Sequence, residues 1–566
     1  MIGAVDTENN DAYAPMPWKH LYDAEARSLI SHGNDTILAA FDLAVKVSPD
    51  EPACLYFDRS ISYRELDDLS DAFAAALNDS GIRMGERVAV FLQNVPQFVI
   101  VALATWKLGG VLVPINPMNT EREVSVILAD SGSKVLVAQD ILFTDVVAKL
   151  QIAPEKVFTT STLDYQLRND ERLFASFKPV DCGMPDLVAT IAENEGRRVD
   201  RAVISGSDIA MLVYTSGTTG VPKGAMNTHG GAIVTAESIA RWMHVDTGAP
   251  ILGVAPLFHI TGSVAGIALA FVRRSPLILA YRFHPRVIAE AIEEHRAEVT
   301  FCAITALMAL LNDDAVTPDQ TRSLTKIITG GAPMPPAILE QLERKFGRYI
   351  YHGYGLTETN GPVFLVPADR TAPLDTGTGA LSVGIPTPHM SAWIADDDGS
   401  PAPVGEPGEI IISGGSLASG YWGKPDETAT TMRPSGLRSG DVGFMDADGW
   451  FYIVDRKKDM INAGGYKVWP REVEDVIYTH PSIREAAVVG VPDAYRGETV
   501  RAVVSLKNGT AVTPEELKIF CKERMAAYKY PRIIDIIEEL PKNMSGKILR
   551  RLLREQSASQ SPGSDT

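Results

Sequence analysis

The densest chemistry in the chain lies in Tyr214-Thr-Ser-Gly-Thr-Thr-Gly-Val-Pro-Lys-Gly224. The apolar run Ile209–Val213 leads into three glycines, four hydroxyl side chains (Thr215, Ser216, Thr218, Thr219) and one lysine. Gly217 and Gly220 let backbone N–H groups converge on an anion, the hydroxyls add donors, and Lys223 supplies a point charge. That set suits a polyphosphate. It is not a Walker A loop, because Lys223 is followed by Gly224 rather than Ser or Thr. A Ser/Thr/Gly stretch is more often a flexible surface loop, but here eleven residues fit the phosphate reading together.

A second cluster is Tyr351-His-Gly-Tyr-Gly-Leu-Thr-Glu-Thr359. Tyr354 offers a ring on which a purine can stack, Thr357 can donate to a phosphate, and Glu358 is a hard oxygen ligand for a Mg²⁺ that bridges phosphates. Gly330-Gly331-Ala332-Pro333 lets backbone approach the other face of a base. Ser439-Gly-Asp441 presents a carboxylate that could accept from vicinal hydroxyls, although Gly-Asp alone is more often a turn. Pro541-Lys-Asn-Met-Ser-Gly-Lys547 puts a lysine after a Ser-Gly turn and before a basic helix, Ile548–Glu555.

In this order, from about Phe57 to Leu553, the motifs resemble those of the adenylate-forming superfamily: acyl- and aryl-CoA synthetases, firefly-luciferase-like enzymes and peptide-synthetase adenylation domains. The resemblance implies an ATP-dependent acyl-CoA ligase of the fatty-acid or other hydrophobic-carboxylate type, using ATP, Mg²⁺ and coenzyme A. It implies catalytic roles for Lys547, Glu358, Thr215 and Lys223. Nucleotide contacts would come from Ser216, Gly217, Thr218, Thr219, Gly220, Gly331, Ala332, Pro333, His352, Gly353, Tyr354, Thr357, Asp441 and Arg456. The acyl pocket would lie near Trp242, His259, Gly330, Gly355 and Gly361, with Gly355 and Gly361 leaving room beyond the reacting carboxylate.

Arg456-Lys-Lys-Asp-Met-Ile-Asn-Ala-Gly-Gly-Tyr-Lys467 resembles the family's hinge, with Lys458 at the pivot. Gly464, Gly465 and Tyr466 match the strand beside the pantetheine path, where a side chain would block a narrow thiol tunnel. His259 stands where peptide-synthetase domains carry an Asp that pairs with an ammonium, so a free amino acid would lack its anchor here. Three alternatives remain open. An acyl-AMP ligase serving a carrier protein would consume no CoA, a luciferase-like enzyme would need oxygen, and a non-catalytic nucleotide-binding sensor would release no AMP.

These motifs need a scaffold. Tyr63–Leu77 has apolar residues at three- and four-residue spacing and predicts a helix. Arg87–Leu92, Val111–Ile115, Lys134–Ala138, Ile209–Tyr214, Pro250–Ala255, Leu277–Ala280 and Lys326–Thr329 read as buried strands, with helices such as Arg286–His295 and Pro336–Phe346 between them. Strands alternating with helices predict parallel sheets covered on both faces, an α/β fold. After Gly405, the short strands Glu409–Ser413, Phe451–Val454 and Ala486–Val491 suit mixed sheet and a distorted β-barrel. Val468–Tyr478 reads as an amphipathic helix. The expected division is an adenylation domain over 1–454, a hinge over 455–459 and a small mobile α+β domain over 460–566, disordered from 556.

Charge and composition narrow the partners. The chain has 566 residues and a net charge of −18. Residues 455–566 carry 19 basic and 16 acidic side chains, a net +3, which leaves −21 on the rest. So acidic a body disfavours nucleic acid and anionic membrane. Cys54, Cys182, Cys302 and Cys521 lie too far apart for a zinc site and predict no disulfide framework. Phe98–Ile115 is broken by Lys107 and a Gly-Gly pair, and Val264–Tyr281 by Arg273-Arg274, so neither predicts a membrane span. The expectation is a cytoplasmic protein, monomeric or homodimeric, acting on small molecules.

Overall fold

The computed structural model describes residues 16–27, 35–215, 222–332, 334–456, 459–463, 466–493, 496–542 and 547–558. Two large sheets carry the body. In the six-stranded sheet, Lys156–Thr160, Val135–Gln139, Arg87–Phe91, Val111–Pro114 and Ile209–Thr215 run parallel in that spatial order, and Lys223–Thr228 closes the edge antiparallel. The inner strands are almost wholly buried, which is why they read as continuous apolar runs rather than as alternating ones. The nine-stranded sheet places Lys326–Gly330 between Val299–Ala303 and Ile350–Leu356, all parallel, and the hairpin partner Gly361–Leu365 returns antiparallel.

The apolar stretch 98–115 is a buried helix, Pro96–Lys107, then a turn and a strand. Lys107 is fully buried, and its ammonium donates among Asp67 Oδ1 (2.7 Å), Asp67 O (2.9 Å), Asp71 Oδ1 (2.6 Å) and Ser70 Oγ (2.8 Å) on the neighbouring helix Tyr63–Asp79. A buried ammonium is tolerated only when it is paired in this way. No described helix is long and apolar enough to cross a membrane. The four cysteines are free thiols.

A five-stranded antiparallel sheet stands in the region expected to form a barrel. Met390–Ala395, Gly408–Gly414, Gly436–Met445 and Met432–Arg433 follow one another, and Phe451–Arg456 pairs on Gly436–Met445. One continuous buried cluster from Trp18 to Tyr452 joins these three sheets. The last sheet has its own core around Val473, Ile477, Val488 and Val500. Its central pair is Ile483–Asp493 with Gly497–Leu506, flanked by Ile461–Ala463 and Ile533–Ile536. The fold is therefore mixed α/β, with a large N-terminal sheet body and a smaller C-terminal α+β unit.

Element boundaries differ from the expected ones where local chemistry decides them. The strand expected over Pro250–Ala255 is only Ile251–Leu252. The helix expected from Val468 starts at Pro470, because proline favours the first helical position and Tyr466–Val468 pairs as a strand. The basic helix begins at Arg550 rather than Ile548.

Candidate active site

The strands on either side of the expected phosphate loop, Ile209–Thr215 and Lys223–Thr228, pair antiparallel at the edge of the six-stranded sheet. Thr215 and Lys223 are direct register partners, so the two residues flanking the loop face each other across its base. Ser216, Gly217, Thr218, Thr219 and Gly220 lie outside the described residues. The second hairpin strand is held from its other side by residues 419–422. Met226 N–H donates to Gly420 O (2.9 Å), Ser419 N–H to Met226 O (3.0 Å) and Trp422 N–H to Gly224 O (2.8 Å).

This pairing brings in Tyr421, which sequence reasoning missed. Its hydroxyl donates to Glu358 Oε1 at 2.6 Å, and the Lys223 ammonium lies 5.6 Å from its ring centroid. Burial and the Glu358 carboxylate push the Tyr421 hydroxyl's pKa well up, so it remains a donor. One tyrosine thus orients the carboxylate through its oxygen and the lysine through its π face. Glu358 sits in the turn Thr357–Thr359, and Asn227 of the hairpin fixes that turn by donating to Thr357 O at 2.8 Å. Asn360 adopts φ +57° and donates to Ser416 O at 2.7 Å, tying the turn to the segment that leads to Tyr421.

Among the described residues no group of three or more His, Cys, Asp or Glu could hold a metal ion. A single carboxylate such as Glu358 is compatible with Mg²⁺ arriving with phosphates, since this ion keeps its waters and takes one or two carboxylates plus substrate oxygens.

A second group lies across the sheet ends. Tyr354 donates from its hydroxyl to Asp441 Oδ2 at 2.6 Å. Asp441 is 5% exposed, and its strand places it opposite Arg456, whose side chain is outside the described residues. Gly330 pairs with Gly353 in register, and a Cβ on Gly330 would stand 2.9 Å from Gly353 O. Gly331 follows with φ +80° and open space beside it, and Ala332 continues the turn. Pro333 is outside the described residues. His352 is buried, and enclosure together with the Arg471 guanidinium lowers its pKa to about 4.

Three of the expected acyl-pocket residues have packing roles of their own. A Cβ on Gly355 would sit 2.0 Å from Gly361 O, so the hairpin itself demands that glycine. Gly361 itself has φ +118°, which only glycine adopts without strain. Trp242 is 3% exposed, donates its indole N–H to Leu365 O at 3.2 Å and meets the Tyr22 ring edge-on, a core role.

His259 opens a tight turn into the π-helical segment Gly262–Ala268. A Cβ on Gly262 would lie 2.1 Å from Pro256 O, so glycine alone permits the turn. The imidazole Nδ1 accepts the Thr261 amide at 3.2 Å, which leaves the neutral ring's proton on Nε2. Burial, and then the charge of Lys547, depress its pKa to about 4. Lys547 of the C-terminal unit is therefore close enough to act electrostatically on the expected acyl entrance. Lys458, Gly464 and Gly465 are outside the described residues. Tyr466 is 58% exposed, and its ring stacks on Tyr528 at 4.7 Å between centroids.

Two expectations follow from these contacts. Tyr421→Phe removes a hydrogen bond to a charged group, worth about 1.5 kcal/mol or roughly tenfold. It should appear as a higher Mg·ATP requirement in acid-dependent pyrophosphate exchange, and an unchanged requirement would remove Tyr421 from the site. The second concerns pH. His229, His259 and His352 are all held down to about 4. Between that value and the ordinary one, near 6.5, the unfolded chain binds protons that the folded chain refuses. Their contribution is present above about pH 6.5 and is lost as pH falls through about 4. Melting temperature should fall across that window, less steeply in His229→Gln, and an identical slope in the variant would contradict this.

Comparison with known proteins places this geometry. The model of the AMP-binding enzyme family matches residues 41–422, and that of the AMP-binding enzyme C-terminal domain matches 472–547. A long-chain-fatty-acid–CoA ligase of Bacillus subtilis (strain 168) is 34% identical, covering 95% of this chain and 98% of that relative. A feruloyl-CoA synthase of Amycolatopsis sp is 32% identical over 90% of this chain and 97% of its own. The crystal structure of ATP-bound MatB from Rhodopseudomonas palustris, 27% identical, superposes with a TM-score of 0.80 and covers 92% of this chain and 99% of that one. The chain belongs to the AMP-binding enzyme family, within the adenylate-forming superfamily and on its acyl-CoA synthetase side.

Proposed function

We propose that this protein is an ATP-dependent acyl-CoA ligase acting on a long-chain fatty acid or a similarly hydrophobic carboxylate. In the first step a carboxylate oxygen attacks the α-phosphorus of ATP, the bond to the β-phosphate oxygen breaks, and pyrophosphate leaves. In the second the CoA thiol, losing its proton, attacks the acyl carbon, and AMP leaves with the carboxylate-derived oxygen. A carboxylate is a poor electrophile because its leaving group would be oxide, and joining it to AMP cures that. No protein nucleophile is required.

Thr215, Lys223 and the loop between them would hold the β- and γ-phosphates, with Tyr421 keeping Lys223 and Glu358 in place. Bound through Glu358, Mg²⁺ would neutralise phosphate charge. The Tyr354 ring would carry the adenine, and Asp441 would accept from the ribose hydroxyls. Lys547 would bridge the carboxylate and the α-phosphate, two anions that otherwise repel. Neutral His259 would add no competing charge at the acyl entrance. We also assign residues 1–454 to the adenylating body and 460–566 to a unit that turns about Lys458 to bring Gly464, Gly465 and Tyr466 to the thiol path.

The observation that carries this reading is the Tyr421 hydroxyl, 2.6 Å from Glu358 and under the Lys223 ammonium at 5.6 Å, which joins the carboxylate for Mg²⁺ to the lysine flanking the loop 216–221. The influence of the Lys547 charge on buried His259 is consistent with it. The test is a panel of straight-chain, aryl and branched acids supplied with Mg·ATP and CoA. AMP and pyrophosphate should form one for one with CoA consumed, fastest with the long-chain acids. Pyrophosphate exchange without CoA consumption would instead favour delivery to a carrier protein, and no pyrophosphate from any acid would refute the proposal.

A further inference from the structure

Arg550 opens the helix that follows Lys547 and gathers three carboxylates. Its Nη2 donates to Glu474 Oε1 and Oε2 at 2.7 and 2.7 Å. Its Nη1 donates to Asp455 Oδ1 at 3.3 Å and lies 3.7 Å from Asp459 Oδ2. The three acid side chains are 4%, 8% and 9% exposed for Asp455, Asp459 and Glu474, so each depends on a cation for its charge. Asp455 Oδ2 also accepts the Arg471 amide at 3.1 Å, in the first turn of the helix Pro470–Tyr478. Arg554 completes the cluster by donating to Asp459 Oδ1 at 2.7 Å.

The acids differ in what they are attached to. Glu474 lies with Arg550 in the unit beyond the expected pivot, and Asp459 is the last residue of the expected hinge, directly after Lys458. Asp455 lies ahead of the pivot, at the start of the expected hinge and still within the strand Phe451–Arg456 that pairs on the body's sheet, opposite Val442 and one register pair from Asp441. One strand pair thus carries both the carboxylate beneath the ribose and the carboxylate that reaches Arg550, and Lys547 is three residues upstream of Arg550.

We propose that Asp455 and Arg550 form a separable ion-pair latch. Made, it sets Lys547 against the reacting carboxylate for adenylation. Opened, it frees the C-terminal unit for thioester formation. Arg550 keeps Glu474 and Asp459 when the latch opens, so turning the unit strands no buried cation, while Asp455, losing both Arg550 and the Arg471 amide, must pass to water as the unit uncovers it. Arg550 and Asp455 act through Lys547 and are positioning residues. The inference rests on the two-step reading above.

The test measures each half-reaction separately: acid-dependent pyrophosphate exchange, and thioester formation from supplied acyl-adenylate and CoA. The wild type must perform both, and its failure to do so would refute the two-step reading rather than the latch. Asp455→Asn keeps an acceptor for the Arg471 amide but loses the charge. It should slow adenylation about tenfold or more and leave thioester formation equal or faster. Arg550→Lys, which keeps the charge but not the fork, should fall between Asp455→Asn and wild type. Glu474→Gln, which weakens the cluster within the moving unit only, should lower the melting temperature without splitting the half-reactions. Equal loss in both half-reactions for Asp455→Asn, no loss in either, or the same split from Glu474→Gln would overturn the latch.

Discussion

Lys547→Ala is expected to slow adenylation by about 10²–10³-fold, the usual consequence of removing one preorganised charge from a developing anion. Thioester formation from supplied acyl-adenylate should stay within about threefold of wild type, because that step needs no bridge between a carboxylate and a phosphate. The expectation follows from where the lysine stands. It acts on His259 although it belongs to the C-terminal unit, and a buried cluster around Arg550 anchors the chain just after it. Separate assays of the half-reactions decide the matter. Equal loss in both would make Lys547 a structural residue of the C-terminal unit.

The second large effect is expected at Glu358. Glu358→Gln keeps an acceptor for the Tyr421 hydroxyl but loses the hard negative charge, and no described cluster of acids nearby can replace it. Adenylation at fixed magnesium should fall about 10²-fold, with part of the loss recovered as magnesium is raised. The Tyr421 hydroxyl, no longer beside a carboxylate, should also titrate at lower pH in the variant. An unchanged magnesium dependence in pyrophosphate exchange would show that Glu358 serves only to hold Tyr421. Unlike Tyr421→Phe, this change removes the ligand itself and not its support, so the two variants should rank in that order.

Much of this site is legible in the amino-acid sequence, and the reason is local. The loop 214–224 and the segment 351–359 carry their chemistry in consecutive residues. The apolar runs Ile209–Val213 and Lys326–Thr329 mark the loop 214–224 and the turn at Gly330-Gly331 as following strands, whereas 351–359 is itself a strand, Ile350–Leu356, running into the turn Thr357–Thr359. Tyr421 is not legible in this way. The aromatic pair Tyr421-Trp422 between Gly420 and Gly423 reads as core, and only the pairing of residues 419–422 against the hairpin brings Tyr421 to Glu358. The flanking glycines are the available signal. The hairpin's need for Gly355 is not legible either. A missing side chain reads as room in a sequence, and only the fold shows that the Gly361 carbonyl stands where a Cβ would go. The Asp455–Arg550 contact joins residues about a hundred positions apart through charge alone, and charge pairing has no periodicity to read.

The central claim is that distant segments gather around one triphosphate so that a carboxylate oxygen can be joined to its α-phosphorus. Supplying a fatty acid labelled with oxygen-18 in both carboxylate positions, with Mg·ATP and CoA, tests this directly by mass spectrometry of the products. The account predicts a single labelled oxygen in AMP and none in pyrophosphate. Unlabelled AMP, or label in inorganic phosphate with ADP as the co-product, would contradict it.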